Sequence, residues 1–244
     1  MYSFYHLSSP SLSMLKSNIA PIIRPIWYNG KNTQKANQNR NMKTNSNIPN
    51  EQLIQATQRG DREAVLKLLQ EGADINVRDP QGRTPVMIAT SQHNTDMVRA
   101  LLQAGADVNI RDNNKENPLL HAGAQGWLDI LWLAIEAHAD TSLTNRFGGI
   151  SIIPASERGH VEVVRELLTR TDINVNHINN LGWTALLEAI VLSDGGKAHQ
   201  HIVQLLIDHG ADVNLSDKDG VTPLQNARKR GFTEIEHMLL QAGA

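Results

Sequence analysis

The phrase GADINVRD at residues 72–79 returns as GADVNIRD at 105–112 and as GADVNLSD at 210–217, with a looser copy, DINVNHIN, at 172–179. A second phrase keeps step with it. RTPVMIA at 83–89 recurs as ENPLLHA at 116–122, WTALLEA at 183–189 and VTPLQNA at 221–227. Between them lie apolar runs at helical spacing, such as DMVRALLQAG at 96–105 and HIVQLLIDHG at 201–210. Gly82, Lys115 and Gly148 hold equivalent turn positions 33 residues apart, and Gly182 and Gly220 follow after 34 and 38. A fixed period of this length marks a stack of small units that bury their apolar faces on one another.

The letters of one unit explain its shape. Thr84 is placed to cap a helix and Pro85 to open it, where no amide partner is lost. Val86 and Ala89 fall on one face, and small Ala89 lets helices approach. The chain reverses near His93–Asn94. Val98, Leu101 and Leu102 form the stripe of a second helix, which Gly105 ends in a left-handed conformation. The recurring Asp79, Asp112 and Asp217 read as turn caps. Asn76, Asn109, Asn176 and Asn214 are expected to bond the backbone of their own turn, with Ser142 the departure in the third repeat.

These phrases resemble ankyrin repeats, with a T-P-L-H-x-A start, a central Gly-His and a G-A-D-V-N end. The resemblance covers Asn50 to Ala244, six repeats near 50–82, 83–115, 116–148, 149–182, 183–220 and 221–244. It is similar to small stand-alone ankyrin-repeat proteins of bacteria. The resemblance implies an all-α solenoid that binds a partner protein on a concave face made of turn tips and first helices. The first and last repeats, with Gln52 and Gln55 at one end and Lys229 and Arg230 at the other, read as caps.

Three departures stand out. In the fourth repeat Ser151 replaces the opening proline and Pro154 comes three residues later, which predicts a displaced helix start and a lost hydrogen bond. The same repeat lacks the terminating Gly. In the fifth, five extra residues lie within or beside 193–199. In the third, Trp132 stands where an outward polar residue is usual, and it is expected either to be an exposed contact or to fold over Ala134.

Composition narrows the function. The chain has 244 residues, no cysteine and a net charge of −2. Residues 1–49 are basic and polar and are expected to be a disordered tail, or in part residues preceding a start at Met42. With +6 on residues 1–50 and −2 overall, the rest carries −8, an unsuitable face for nucleic acid. No apolar run reaches the roughly 18 residues of a membrane span. The absence of cysteine excludes thiolate chemistry and suits a cytosolic location. His199, His201, His209 and Asp194 could be grouped as metal ligands, but a spacing of two does not put both rings on one helix face. Gly195-Gly196-Lys197 lacks the spacing of a phosphate loop. No nucleophile motif is present. We therefore expect no cofactor, no metal and no catalysis, and a monomeric scaffold. The alternatives are a regulatory subunit that masks or modulates a partner enzyme, and an enzyme with an unrecognised site in the 193–199 loop.

The positions flanking each turn, and those just after each first helix, vary from repeat to repeat. With each turn counted together with the first helix that follows it, they read Pro80, Gln81 and Arg83 in the second repeat and Asn113, Asn114, Glu116 and Gln125 in the third. The fourth and fifth change character. Phe147, Leu181 and Trp183 fall at turn tips, with Val191 and Leu192 beside them and Arg146 and Arg158 at the rim. Exposed apolar clusters edged by arginine are the composition of binding sites. Arg146, Phe147, Arg158, Leu181, Trp183, Val191 and Leu192 are thus the candidate partner-binding residues, with the 193–199 loop as one wall. The competing reading of Trp183 is a core residue folded over the neighbouring helix.

Overall fold

The computed structural model describes residues 48–244, twelve helices with no strand among them. The expectations for the tail lie outside the described residues, apart from its last two positions, which belong to the first helix. The helices come in pairs: α1 (Ile48–Arg59) with α2 (Arg62–Gln70), α3 (Pro85–Ser91) with α4 (Thr95–Gln103), and α5 (Pro118–Gln125) with α6 (Leu128–Glu136). Then follow α7 (Ile152–Glu157) with α8 (Val161–Arg170), α9 (Ala185–Val191) with α10 (Lys197–Asp208), and α11 (Pro223–Arg230) with α12 (Thr233–Gln241). Along the stack, first helix packs on first helix and second on second. Each pair therefore finishes burying the face that its neighbour leaves open.

The caps sit where the sequence puts them. Thr84, Asn117, Thr184 and Thr222 accept from the amides of Met87, Leu120, Leu187 and Gln225. Proline opens α3, α5 and α11. Ala89, Ala122, Ala155, Ala189 and Ala227, all fully buried, form one column through the first helices. Leu101, Ala134, Leu167, Leu206 and Leu239 form the matching column in the second helices. Gly123 shows how tight the stacking is: a Cβ there would stand 3.0 Å from the Ser151 carbonyl oxygen. The last repeat closes the row with charge, Arg228 Nε meeting Glu236 Oε1 at 2.7 Å where earlier repeats carry uncharged residues.

The Asn residues of the GADVN phrase do not serve their own turns. Asn76 Oδ1 accepts from the Asp107 amide, Asn109 Oδ1 from Asp140 and Asn176 Oδ1 from Asp212, at 2.8–3.0 Å. Asn50 does the same for Asp74. They are rungs between repeats. Where Ser142 stands the rung is missing, and Thr141 Oγ1 reaches Asp172 instead.

The fourth repeat is irregular in ways only partly expected. Its first helix is short, six residues, and starts at Ile152 after an uncapped Ser151. Pro154 is the third residue of α7. It breaks no bond, because amides of the first turn have no partner inside the helix anyway. The missing terminal Gly is replaced by Thr171 in extended conformation. Its Oγ1 donates to the Leu167 carbonyl and accepts from the Ile173 amide. The insertion of the fifth repeat is absorbed differently from expectation: residues 197–199 are the first turn of α10, which has grown to 12 residues. Gly195, at positive φ, presses its backbone on the Phe232 ring, where a side chain would clash at 2.5 Å. His199 pins the segment, bonding Asp194 Oδ1 at 3.1 Å and the Glu157 carbonyl at 3.0 Å.

A candidate partner-binding groove

One β-turn device positions the tips. At each of the five turns between repeats the first turn residue accepts two amides on its Oδ1: Asp79 from Gln81 and Arg83, Asp112 from Asn114 and Glu116, Asn145 from Phe147 and Gly149. Asn179 accepts from Leu181 and Trp183, and Asp217 from Asp219 and Val221. The clamp fixes the second residue after it at the tip, facing away from the stack. In the fourth and fifth repeats that residue is Phe147 and Leu181, each 56% exposed. The tips are tied together by the Asn180 amide donating to the Phe147 carbonyl at 3.0 Å.

Below these tips lies a groove of about 480 Å³ that runs over the third, fourth and fifth repeats. Arg146, Phe147, Arg158, Leu181 and Leu192 all line it. Leu192, at the end of α9, is 48% exposed. Trp183 and Val191 are half-buried and do not line it, and neither does any residue of 193–199. The structure thus brings together five of the seven candidates. Trp132 is elsewhere, 40% exposed on α6, with its Nε1 donating to Glu166 on α8. Trp127 is structural, stacked on the His93 ring of the preceding repeat at 4.2 Å.

Glu116, Glu157 and Glu188 also line the groove, with His121. Glu116 is one of the turn-flanking positions and Glu157 lies at the end of α7, whereas Glu188 is at neither kind of position. Glu188 sits on α9 and is only 5% exposed. Its slot in the repeated phrase is Ile88, His121, Pro154 and Asn226 in the other repeats. A carboxylate at that inward position is the sequence signal that could have found it. Asn179 Nδ2 donates to Glu188 Oε1 at 2.7 Å. Burial pushes the Glu188 carboxyl up to about 7, the Glu157 charge adds to the shift, and the Asn179 bond opposes it. Burial also lifts Glu116 to about 7, aided by Asp112 and opposed by Arg146 and Arg158. His121 is pushed down, mainly by burial.

The two arginines are held by neutral partners. Arg146 Nη1 donates to Asn114 Oδ1 at 3.1 Å, and its guanidinium lies 4.7 Å from the centre of the Phe147 ring. Arg158 donates to the Ala124 carbonyl. No group of three His, Cys, Asp or Glu among the described residues is placed to hold a metal ion. No described helix is long and apolar enough to cross a membrane.

Comparison with known proteins agrees with this architecture. The model of the family "Ankyrin repeats (3 copies)" matches residues 53–145, 124–217 and 155–244. The chain is 47% identical to the ankyrin repeat protein YahD of Escherichia coli K12, over 81% of this chain and 98% of that protein. Among solved structures, an ankyrin repeat domain from Acinetobacter baumannii AYE shares 51% identity and a TM-score of 0.77, covering 79% of this chain and 97% of that one. The ankyrin repeat protein EF0377 shares 36% identity and a TM-score of 0.75, covering 79% and 98%.

Proposed function

Because the chain belongs to the ankyrin-repeat family, whose members generally act as protein-interaction modules, we propose that it is a non-catalytic scaffold that seats a partner protein in the groove over repeats three to five. One observation carries the reading. Phe147, Leu181 and Leu192 are large apolar side chains left exposed together around a single groove, with Arg146 and Arg158 beside them. Turn tips in water have no folding reason to carry Phe and Leu, and arginine with apolar anchors is the make-up of interface hot spots. The second repeat offers Gln81 and Arg83 at the matching places, and Arg83 is spent on Asp79, 2.8 Å away. The reading includes a monomer in the cytosol, which the cysteine-free sequence suits. Control of a partner enzyme would be one use of the same surface.

The test is a comparison of proteins captured from the native host by the wild type, by Phe147→Ala/Leu181→Ala, and by Trp132→Ala as a control on the second-helix side. A partner retained by the control and lost from the double variant is the expected result. Equal capture by all three places the interface elsewhere.

A further inference from the structure

The two ends of the groove differ in charge. At the end formed by the third repeat, Glu116 feels Arg146 and Arg158. At the other end, Glu157 from α7 and Glu188 from α9 face each other's fields with no cation between them. No element packed around Glu188 brings a cation within ion-pair distance of it, Lys229 of α11 and Lys197 of α10 included. On α11, Arg228 is paired with Glu236 and Arg230 donates to the Ser193 carbonyl. In the α9–α10 connection and the start of α10, His199 is taken by Asp194 and the Glu157 carbonyl. The turn before α9 supplies only the neutral Asn179, whose Nδ2 donates to one carboxylate oxygen. No Lys, Arg or His among the described residues lies within ion-pair distance of Glu116, Glu157 or Glu188.

A nearly buried carboxylate with a second carboxylate for a neighbour is costly to the fold alone. The cost is offset when a cation from outside enters between the two. The chain around it is prepared for such a visitor. Leu181 and Leu192 line the groove beside Glu188, and Phe147 continues the apolar strip. The net charge of −8 on the residues after 50 draws in basic segments at long range. The rim arginines are held by Asn114, Ala124 and the Phe147 ring, neutral groups that leave their charge in place, and that charge acts on Glu116 at the third-repeat end.

Building on the groove as the partner site, we infer that it recognises a basic protein segment: a lysine or arginine side chain enters between Glu157 and Glu188 while an adjoining apolar side chain lies on Leu181, Leu192 and Phe147. Binding requires the ionised carboxylates, so affinity rises as pH climbs through about 7, the value to which burial pushes Glu188.

The experiment selects phage-displayed random dodecapeptides on the full chain at pH 8 and titrates the enriched peptides in solution. Selected sequences carry Lys or Arg beside Leu, Ile, Phe or Trp. Their affinity falls at least about tenfold in Glu157→Gln and in Glu188→Gln, and it weakens in the wild type as pH is lowered below 7. Gln at 188 keeps an oxygen for Asn179. Should that variant fail to melt cooperatively, Glu157→Gln carries the same reading. Peptides that depend on Phe147 and Leu181 but are acidic or neutral, or that ignore both glutamine variants, overturn the basic-segment inference and leave the groove as the partner site. If no peptide depends on Phe147 and Leu181, both readings fall.

Discussion

The second and fourth repeats have the same plan and opposite finish. In the second, Thr84 caps α3, Pro85 opens it, Asn94 caps α4 through the Met97 amide, and Gly105 takes the positive φ that ends the hairpin. In the fourth, Ser151 caps nothing, α7 has six residues, His160 makes no side-chain cap for α8, and Thr171 substitutes for the glycine. Ser151 and Ser156 carry buried hydroxyls with no partner among the described residues. Yet it is the fourth repeat and its junction with the fifth that carry Phe147, Arg158, Glu157 and the approach to Glu188. Local rules are most often broken where a protein binds or acts. On the proposed function, the regular repeat serves the stack and the irregular one serves the groove.

The largest expected effect tests whether the irregular repeat is also the weak link. Leu101 and Leu167 occupy the same fully buried slot in α4 and α8, so Leu→Ala at either should cost about 2–5 kcal/mol. The consequences differ. Leu101→Ala should lower one cooperative melt. Leu167→Ala weakens a repeat already short of caps and should split the transition into two blocks. Hydrogen exchange on the wild type should agree, with residues 150–178 opening before 84–112. A single sharp transition in both variants, with uniform exchange, would put the two repeats on an equal footing.

Smaller, but specific to the groove end, is the dependence of stability on pH. Glu188 titrates near 7 in the folded chain against an ordinary 4.5. Between those values the native state holds a proton that the unfolded chain has released. Stability should therefore fall as pH rises from 4.5 to about 7 and level off beyond. Glu188→Gln should flatten that slope, by an amount on the order of 1–3 kcal/mol, leaving the share that belongs to Glu116. The second repeat has Ile88 in this slot, so its Ile88→Val variant should run parallel to the wild type at every pH. A Glu188→Gln curve that also runs parallel would show that the carboxyl is ordinary.

How much of this was readable in the sequence depends on the range of each interaction. The helix starts at Thr84, Thr184 and Thr222 and the alanine column are set by neighbours a few residues away, and they are written at fixed offsets. The exposed tips Phe147 and Leu181 were legible for the same reason, because the clamp of Asn145 or Asn179 acts two residues on. Contacts that need the stack were not legible. Asn76, Asn109 and Asn176 look like turn residues until the next repeat is set beside them, when their oxygens prove to serve the amides there. His93 and His138 take glycine's positive φ, which no local letter announces. Trp183 reads as a tip residue by offset, but the clamp holds it by its backbone and it remains half-buried out of the groove. Glu188 needed a column comparison across five repeats.

The smallest effect separates a working cap from an idle hydroxyl. Thr84 and Ser151 stand at the entrances of equivalent first helices. Thr84 is in extended conformation with its Oγ1 toward the Met87 amide, so Thr84→Ala should cost about 1 kcal/mol. Ser151 is already helical, at φ −55 and ψ −32, and its buried Oγ has no partner among the described residues. Alanine keeps the Cβ that packs on Gly123 and removes only the unpaired hydroxyl. Ser151→Ala should therefore be neutral, or stabilise by a few tenths of a kcal/mol and more if the hydroxyl carries its full desolvation cost. Urea denaturation of both variants reads the difference directly. A loss at Ser151 as large as that at Thr84 would mean that this hydroxyl finds a partner in solution, and that the fourth repeat is capped after all.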